Sequence, residues 1–265
     1  MDYEDLSLEK KDGIATITLN APDKLNAITS AMERSLPLAI DEIARDDAVK
    51  VVIVTGAGRA FCAGGDIERF KAGFEGTLEE TRYEHLRMLG QGVADGFPRL
   101  DKPVIAAING HCVGGGFSLA LSCDIRIASE KAKFGSVFIN IALVPDCGMT
   151  YLLPHFVGTS KALELMFSGE IIDAVEAERL GIISRVVPHD DLMKVSLELA
   201  HKIAQQPPAA LELTKKLVYR DMINDIAHHL DLETYAQQLC FASEDHRKRA
   251  LAFLEKQPPP KPGGK

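Results

Sequence analysis

Two glycine-rich stretches are the places in this sequence where bare backbone could act on a ligand. They read "GAGRAFCAGGDI" at residues 56–67 and "NGHCVGGGFSLALSCD" at residues 109–124. Each follows a short apolar run typical of a buried strand, and the second leads into a helical pattern. The first N–H groups of a helix lack acceptors within it and lie at the positive end of its dipole, so they can bind a developing oxyanion. Two such turns side by side would supply the paired donors that a carbonyl needs as it becomes an enolate.

A single carboxylate, Asp146, lies in the apolar stretch "INIALVPDCGMTYLLPHF". If it faces a pocket, desolvation raises its pKa and makes it a proton acceptor near neutral pH. The alternative is structural, because an aspartate ahead of "CGMTYLL" is also a good N-cap for a following helix. Both interpretations stay open at this point.

Other common site patterns are missing. Gly114-Gly115-Gly116 lacks the spacing of a dinucleotide site or a P-loop, and close helix-to-strand packing is the structural alternative for these glycines. Ser118 has no nucleophile-elbow context. The five cysteines contain no Cys-x-x-Cys pair, which predicts reduced, mostly buried thiols rather than disulfides or zinc. The eight histidines show no metal-ligand spacing, so we expect no metal site.

Composition places the chain among globular proteins. It has 265 residues, of which 46% are hydrophobic and 26% charged. The net charge of −8 disfavours binding to nucleic acid. The acidic N-terminus lacks the features of a secretory signal, and no apolar run approaches the ~20 residues of a membrane span, so a cytoplasmic location is predicted.

The elements that must position these residues follow an alternating order. Asp12-Gly13 between two alternating runs predicts a β-hairpin, and Ser30 with Glu33 predicts a capped helix. Buried strands then alternate with helices, which indicates an α/β architecture with parallel strands. After Asp173, predicted to cap a helix, the pattern becomes helical, with a break at Pro207-Pro208.

Several of these segments together resemble the enoyl-CoA hydratase/isomerase (crotonase) superfamily. They are "PDKLNAI", "GRAFCAGGDI", "KPVIAAINGHCVGGGFSLALSCDIRIAS", "AKFG" and "LVPDCGMTYLLPHFVG", in the family's order and spacing. The resemblance implies an α/β fold, a crotonase-like spiral of ββα units followed by a C-terminal helical trimerisation region. It divides the chain into a spiral core with the CoA and acyl site, residues 1–206, and a helical oligomerisation region with a flexible tail, residues 207–265.

The resemblance also implies site residues. The N–H groups of Gly65 and Gly115 would form the oxyanion hole for an acyl-CoA thioester, and residues 68–92 would form the wall over its acyl group. Positions matching the CoA channel are Lys24, Leu25, Ala27, Ala63, Asp66 and Ile67, with Phe253 and Lys256 closing over it. No cofactor beyond the CoA moiety of the substrate is expected, and the expected partners are further copies of the chain, as a homotrimer or a hexamer.

The departures from the family pattern favour one reaction. Where hydratases of the family carry two glutamates that position water, this sequence has Ser118 and Phe138. Asp146 matches the catalytic aspartate of ring-1,2-epoxyphenylacetyl-CoA isomerase, dienoyl-CoA isomerase and 4-chlorobenzoyl-CoA dehalogenase, and "LVPDCG" is most similar to the first. The dehalogenase is disfavoured because the chain has no tryptophan. The resemblance therefore predicts an isomerase with Asp146 as general acid/base.

Three alternatives stay open. A hydratase with an altered water site would convert crotonyl-CoA to 3-hydroxybutyryl-CoA. A thioesterase would release the free thiol of CoA. A non-catalytic member of the family would bind an acyl-CoA or an RNA without turnover, although the acidic charge disfavours RNA.

Overall fold

The computed structural model describes residues 3–66, 87 and 90–261, except the side chains of residues 221, 223 and 224. Ile67, most of the predicted acyl wall and the end of the tail lie outside the described residues. The described part forms two sheets with helices around them, which confirms the predicted α/β class.

The larger sheet begins with the predicted hairpin. Strands β1 and β2 pair antiparallel, and Asp12 and Gly13 between them take φ of 51° and 78°, which a tight hairpin turn requires. The strand order is β1-β2-β3-β5-β7-β10, and every pairing after the hairpin is parallel. The bounds are β1 Leu6–Lys11, β2 Ile14–Leu19, β3 Val51–Gly56, β5 Val104–Ile108, β7 Ile125–Ser129 and β10 Arg185–Val187.

The smaller sheet has the order β4-β6-β8-β9, parallel except for its last pair. Its strands are β4 Ala60–Cys62, β6 His111–Val113, β8 Lys133–Gly135 and β9 Ile171–Asp173. Along the chain, β3, β5 and β7 in the larger sheet are each followed by β4, β6 and β8 in the smaller one. The chain therefore winds as a spiral that adds one strand to each sheet per turn, as the resemblance implies.

The apolar strands are continuous because both faces of the larger sheet are covered. Val52 and Val54 point into a large core cluster that includes the smaller sheet. Val51 and Ile53 point the other way, into a second cluster with Leu192 of the helix Leu192–Ala204. This alternation explains why "KVVIVTG" reads as a buried strand.

The helices complete the layers. Their bounds are α1 Ser30–Ala44, α2 Gly96–Arg99, α3 Gly115–Ser122, α4 Met149–Ser168, α5 Ala174–Arg179, α6 Leu192–Ala204, α7 Pro208–Phe241 and α8 Glu244–Leu254, with 3-10 turns at Pro22–Lys24, Val137–Ile141 and His189–Asp191 and a π-helical turn at Gln91–Asp95. The cap predicted at Ser30 is wrong by one residue, because the Thr29 side chain accepts the N–H of Met32. Asp173 caps α5 as predicted.

Helix α7 starts at Pro208, the second residue of the predicted break, and packs on the spiral. Ile226 and Leu230 on α7 are buried in the large core cluster. Of the five cysteines, Cys240 on α7 is half-buried and the other four are buried, all as free thiols, which confirms mostly buried thiols. Within the described ranges, no helix has the length and apolar character needed to cross a bilayer.

Candidate active site

The two glycine turns touch. Gly64, in the turn after β4, has φ of 90°. A Cβ on Gly64 would lie 3.0 Å from the carbonyl oxygen of Val113 and 3.3 Å from the nitrogen of Gly115. Both distances are tighter than most real Cβ contacts, and the φ of 90° lies in the left-handed region, so this contact between the turns favours a glycine. The prediction that the two turns lie side by side is confirmed.

The three consecutive glycines have three separate reasons. Gly114 takes φ of 55°, which favours glycine. Gly115 begins α3 against Ile28, whose Cδ1 would lie 3.2 Å from an added Cβ. At Gly116 an added Cβ would lie only 2.3 Å from the carbonyl oxygen of Cys62, because the first turn of α3 sits directly on β4. Close packing, the structural alternative, therefore explains Gly116 but does not exclude a role for Gly115.

The N–H of Gly115 has no acceptor one turn earlier in α3, because the helix begins at this residue. Gly65 follows Gly64 in the other turn and pairs with Ile28 in an isolated parallel bridge, in which the Ile28 N–H donates to the Gly64 carbonyl at 2.7 Å. This geometry brings the two predicted donors into neighbouring turns, one of them at the positive end of a helix dipole. Such a pair can stabilise a developing oxyanion.

Two buried asparagines, which the sequence patterns do not predict, fix the segment ahead of the first turn. Asn26 donates to the carbonyls of Ala57 and Ala60, both at 2.8 Å. Asn109 donates to the carbonyls of Gly58 at 2.9 Å and Ala60 at 3.2 Å. Asn26 lies in the quoted stretch "PDKLNAI" and Asn109 ends a predicted strand. Their positions at the ends of elements are the signal that could have identified them.

The structure brings five of the predicted channel residues together. Lys24 and Asp66 form an ion pair at 2.9 Å, the Ala63 N–H donates to the Leu25 carbonyl at 3.1 Å, and the Ala27 N–H donates to the Lys24 carbonyl at 3.1 Å.

Two further predicted channel residues lie at the end of helix α8. Phe253 is in its last turn and is 53% exposed, and Lys256 follows the helix and is also exposed.

Asp146 lies in the segment that joins the 3-10 turn Val137–Ile141 to α4. Its Oδ2 accepts a hydrogen bond from Gln237 Nε2 at 2.8 Å, and its carbonyl accepts one from the Ser118 hydroxyl at 3.0 Å. Ser118 is on the first turn of α3, so this bond ties Asp146 to the helix that begins at Gly115. Burial raises the pKa of Asp146, and hydrogen bonds from Gln237 and the Cys147 thiol oppose this shift.

The capping alternative for Asp146 is wrong. Helix α4 has Gly148 as its N-cap, and no cap side chain satisfies its first N–H groups. Glu233 on α7 does so instead: it accepts the N–H of Gly148 at 2.7 Å and the N–H of Thr150 at 2.9 Å, together with the Thr150 hydroxyl. Burial raises the pKa of Glu233 to about 7. Sequence patterns do not predict Glu233 or Gln237.

Backbone strain marks the same segment. Ala142 and Cys147 take φ of 54° and 55°, a region that non-glycine residues rarely occupy. Such strain persists only where surrounding contacts impose it, and it clusters at functional sites.

The two positions that the resemblance matches to the hydratase glutamates hold side chains that cannot act as bases. Ser118 is fully buried and its hydroxyl is committed to the Asp146 carbonyl. The Phe138 ring is buried, with its tip 4.0 Å from where a Cβ on Gly114 would lie. An apolar ring therefore stands beside the second glycine turn.

Comparison with known proteins agrees with this architecture. A family model described as enoyl-CoA hydratase/isomerase matches residues 9–262. A short-chain-enoyl-CoA hydratase of Clostridium acetobutylicum is 39% identical over 97% of both chains, and a 1,2-epoxyphenylacetyl-CoA isomerase of Escherichia coli is 36% identical over 93% of this chain and 94% of its own. The crystal structure of an enoyl-CoA hydratase from Mycobacterium avium subsp. paratuberculosis superposes with a TM-score of 0.88 at 28% identity, over 99% of this chain and all of the other.

The chain belongs to the enoyl-CoA hydratase/isomerase family, the crotonase superfamily. It is an enzyme of that family, and hydratases and an isomerase are both among its similar relatives.

Proposed function

We propose that this protein is an acyl-CoA isomerase that shifts a double bond, or isomerises a ring, through a thioester enolate. In the proposed mechanism the N–H groups of Gly65 and Gly115 hold the thioester oxygen and Asp146 is the general acid/base. The observation that carries the proposal is the placement of Asp146. Glu233 caps helix α4, so the Asp146 carboxylate is not used as a cap. The Asp146 backbone carbonyl accepts a hydrogen bond from Ser118, on the helix that begins at Gly115.

The reaction needs one base. Asp146 removes a proton from the carbon next to the thioester carbonyl of a 3-enoyl-CoA, and the electron pair moves into a dienolate whose oxygen accepts the two N–H bonds. Asp146 then returns the proton to the far end of the conjugated system, which leaves a 2-enoyl-CoA. The reaction moves one proton and one double bond, so it consumes no oxidant and needs no cofactor beyond the CoA moiety. One oxyanion donor contributes about 2.7–4 kcal/mol to transition-state stabilisation in comparable sites.

Addition of water to a double bond requires a group that activates the water. A hydratase must activate water as well as protonate carbon, and the two positions that carry glutamates in hydratases hold Ser118 and Phe138 here. These two residues favour the isomerase.

A screen in deuterated water tests the proposal. The protein is incubated with a 3-enoyl-CoA, crotonyl-CoA and an aromatic acyl-CoA, and the products are analysed by mass spectrometry. We expect the 3-enoyl-CoA to become conjugated without gaining the mass of water, and the deuterium content of the product measures how far the proton on Asp146 exchanges with solvent before it is returned. Hydrated product as the main species from every substrate would refute the isomerase.

Asp146→Asn tests the base directly. The side chain keeps its size and loses its basicity, so we expect turnover to fall at least 100-fold. The matched control is Asp173→Asn, which changes an exposed helix cap far along the chain. If Asp146→Asn retains activity within a few-fold of this control, Asp146 is not the base.

A hydratase is the second candidate, since most of the similar relatives carry that name, among them a short-chain-enoyl-CoA hydratase and a crotonyl-CoA hydratase. Loss of the absorbance of the conjugated thioester in crotonyl-CoA would favour it. Release of free thiol would favour a thioesterase, and a salt-dependent shift of RNA without turnover would favour a non-catalytic binder.

We also propose that further copies of the chain cover an exposed apolar surface, as a trimer or a hexamer. Large apolar side chains are exposed on α7 and around β9, and they are too numerous to be the isolated apolar residues that are normal on a protein surface. They include Leu213, Leu217, Val218, Leu232, Tyr235 and Leu239 on α7, and Phe167, Ile171 and Val175 nearer β9. Light scattering behind a sizing column tests the oligomer, and a monomer at micromolar concentration would refute it. The cytoplasmic location stays a prediction.

A further inference from the structure

Gln237 is a buried amide on α7 with two long-range hydrogen bonds. It is 1% exposed, and its Nε2 donates to Asp146 Oδ2 at 2.8 Å across 91 residues of sequence. Its Oε1 accepts the backbone N–H of Val144 at 3.1 Å. The two ends of one amide therefore hold two points of the same strained segment.

The orientation of this amide is determined by chemistry. A backbone N–H can only donate, so the side-chain oxygen of Gln237 must face Val144 and the NH₂ group must face Asp146. Gln237 consequently presents a fixed donor to one carboxylate oxygen of Asp146. This bond fixes Oδ2, and the Cys147 thiol donates to the same carboxylate.

Glu233, one helical turn earlier on α7, holds the other end of the segment through Gly148 and Thr150. Among the described residues, the titratable group that acts on Asp146 is the Cys147 thiol on its own segment, and the Asp146 charge in turn raises the pKa of the Glu233 carboxyl on α7. The charge of Glu33 on α1 acts on the Cys147 thiol. None of these is a cation, so the neutral donor on Gln237 is the contact on α7 that favours the ionised form of Asp146.

We propose that Gln237 is a positioning residue for the reaction: its side-chain NH₂ holds the Asp146 carboxylate in the one orientation from which it takes the substrate proton. This inference rests on the proposed function, in which Asp146 is the base. Gln237 itself touches no reacting atom. Its effect is on the rate of proton transfer and on the pH at which Asp146 becomes ionised.

Two variants of Gln237 separate orientation from packing. Gln237→Leu removes the donor, and Gln237→Glu keeps the shape and the acceptor for Val144 but places a second carboxyl against Asp146. The matched control is Gln238→Leu, on the next residue of the same helix, where the side chain is half-buried. The measurements are kcat and KM for the acyl-CoA that the screen identifies, from pH 5 to pH 9.

We expect kcat to fall about 10- to 100-fold in Gln237→Leu with KM unchanged, because a misplaced base loses the near-attack geometry. The acidic limb of the pH profile should move to higher pH, since the charged form of Asp146 loses a hydrogen bond, and it should move further in Gln237→Glu, where a like charge is added. A purely structural role would lower the unfolding temperature without moving this limb. If Gln237→Leu does not fold, the isosteric Gln237→Glu decides.

The inference is overturned if both variants keep the kcat and the acidic limb of Gln238→Leu. The Asp146→Asn variant, assayed in parallel, separates the two proposals. Activity retained in Asp146→Asn refutes the proposed function and this inference with it. Activity lost in Asp146→Asn but unchanged in both Gln237 variants refutes the positioning role alone.

Discussion

The contact between the two glycine turns can be tested at Gly64. In Gly64→Ala the new Cβ would lie 3.0 Å from the Val113 carbonyl oxygen, about 0.4 Å inside ordinary van der Waals contact, which begins at 3.4 Å. The Val113 oxygen is a backbone atom at the end of β6, which is held in the smaller sheet, so the two turns must move apart by a few tenths of an ångström. Alanine at φ of 90° also costs about 1–2 kcal/mol of stability.

The matched control is Gly158→Ala. Gly158 has φ of 75° but no atom within 4 Å of an added Cβ, so this variant carries the same kind of backbone cost without moving the site. We expect both variants to lose stability through the backbone, and Gly64→Ala to lose more through the added contact. Turnover should fall about 10-fold in Gly64→Ala alone, since a displacement of ~1 Å costs about 100-fold and the turns move by less than that.

Two measurements check this expectation: turnover of the acyl-CoA identified by the screen, and the infrared carbonyl stretch of bound crotonyl-CoA. Paired donors polarise the carbonyl and lower its frequency, so the shift should shrink in Gly64→Ala. Equal activity and equal carbonyl frequency in the two folded variants would show that the turns do not act together on a thioester oxygen.

Three further outcomes are expected. Glu233→Ala removes the acceptor of two backbone N–H groups and should lower the free energy of unfolding by about 2–4 kcal/mol in urea, with Glu212→Ala, which removes only an ion pair within α7, as control. Because the pKa of Glu233 is raised to about 7, its stabilisation is fully present below about pH 4.5 and lost as pH rises through 7; a difference from Glu233→Ala that does not shrink between pH 5 and pH 8 would contradict this. Asn26→Ala should cost about 2–4 kcal/mol and lower kcat, whereas Asn20→Ala, at an exposed position, should do neither. The raised pKa of Asp146 predicts that activity is lost on acidification at a pH above the usual range of an aspartate, and a pH profile with its inflection near pH 4 would argue against this base.

Local patterns predict the fold well because they act over a few residues. The hairpin at Asp12-Gly13 needs only two residues with positive φ, and the apolar runs at β3 and β5 need only burial on both faces. The N-cap predicted at Ser30 lies at Thr29. The sequence could not separate the two, because adjacent hydroxyl residues are both favoured as N-caps.

The supports of the site could not be predicted in this way. The sequence allows Asp146 to be either a base or a helix cap. The cap interpretation fails because Glu233, 85 residues from Gly148, accepts the N–H groups at the start of α4. Gln237 acts across 91 residues. A buried polar side chain on a long helix has no periodic signature, and its partner becomes visible only when the helix is packed. The glycine turns could be predicted because close backbone approach allows so few residue types.

Helix α7 supplies contacts on which the segment around Asp146 depends. Both anchors of the segment around Asp146 lie on its inner face, at positions 233 and 237, while Leu232, Tyr235 and Leu239 stand exposed on its outer side. A chain cut after residue 206 would retain the two amide donors and the aspartate but neither anchor. In the proposed mechanism, the contacts that hold the base therefore come from beyond residue 206, and a fragment that ends there would keep Asp146 without the two side chains that hold its segment.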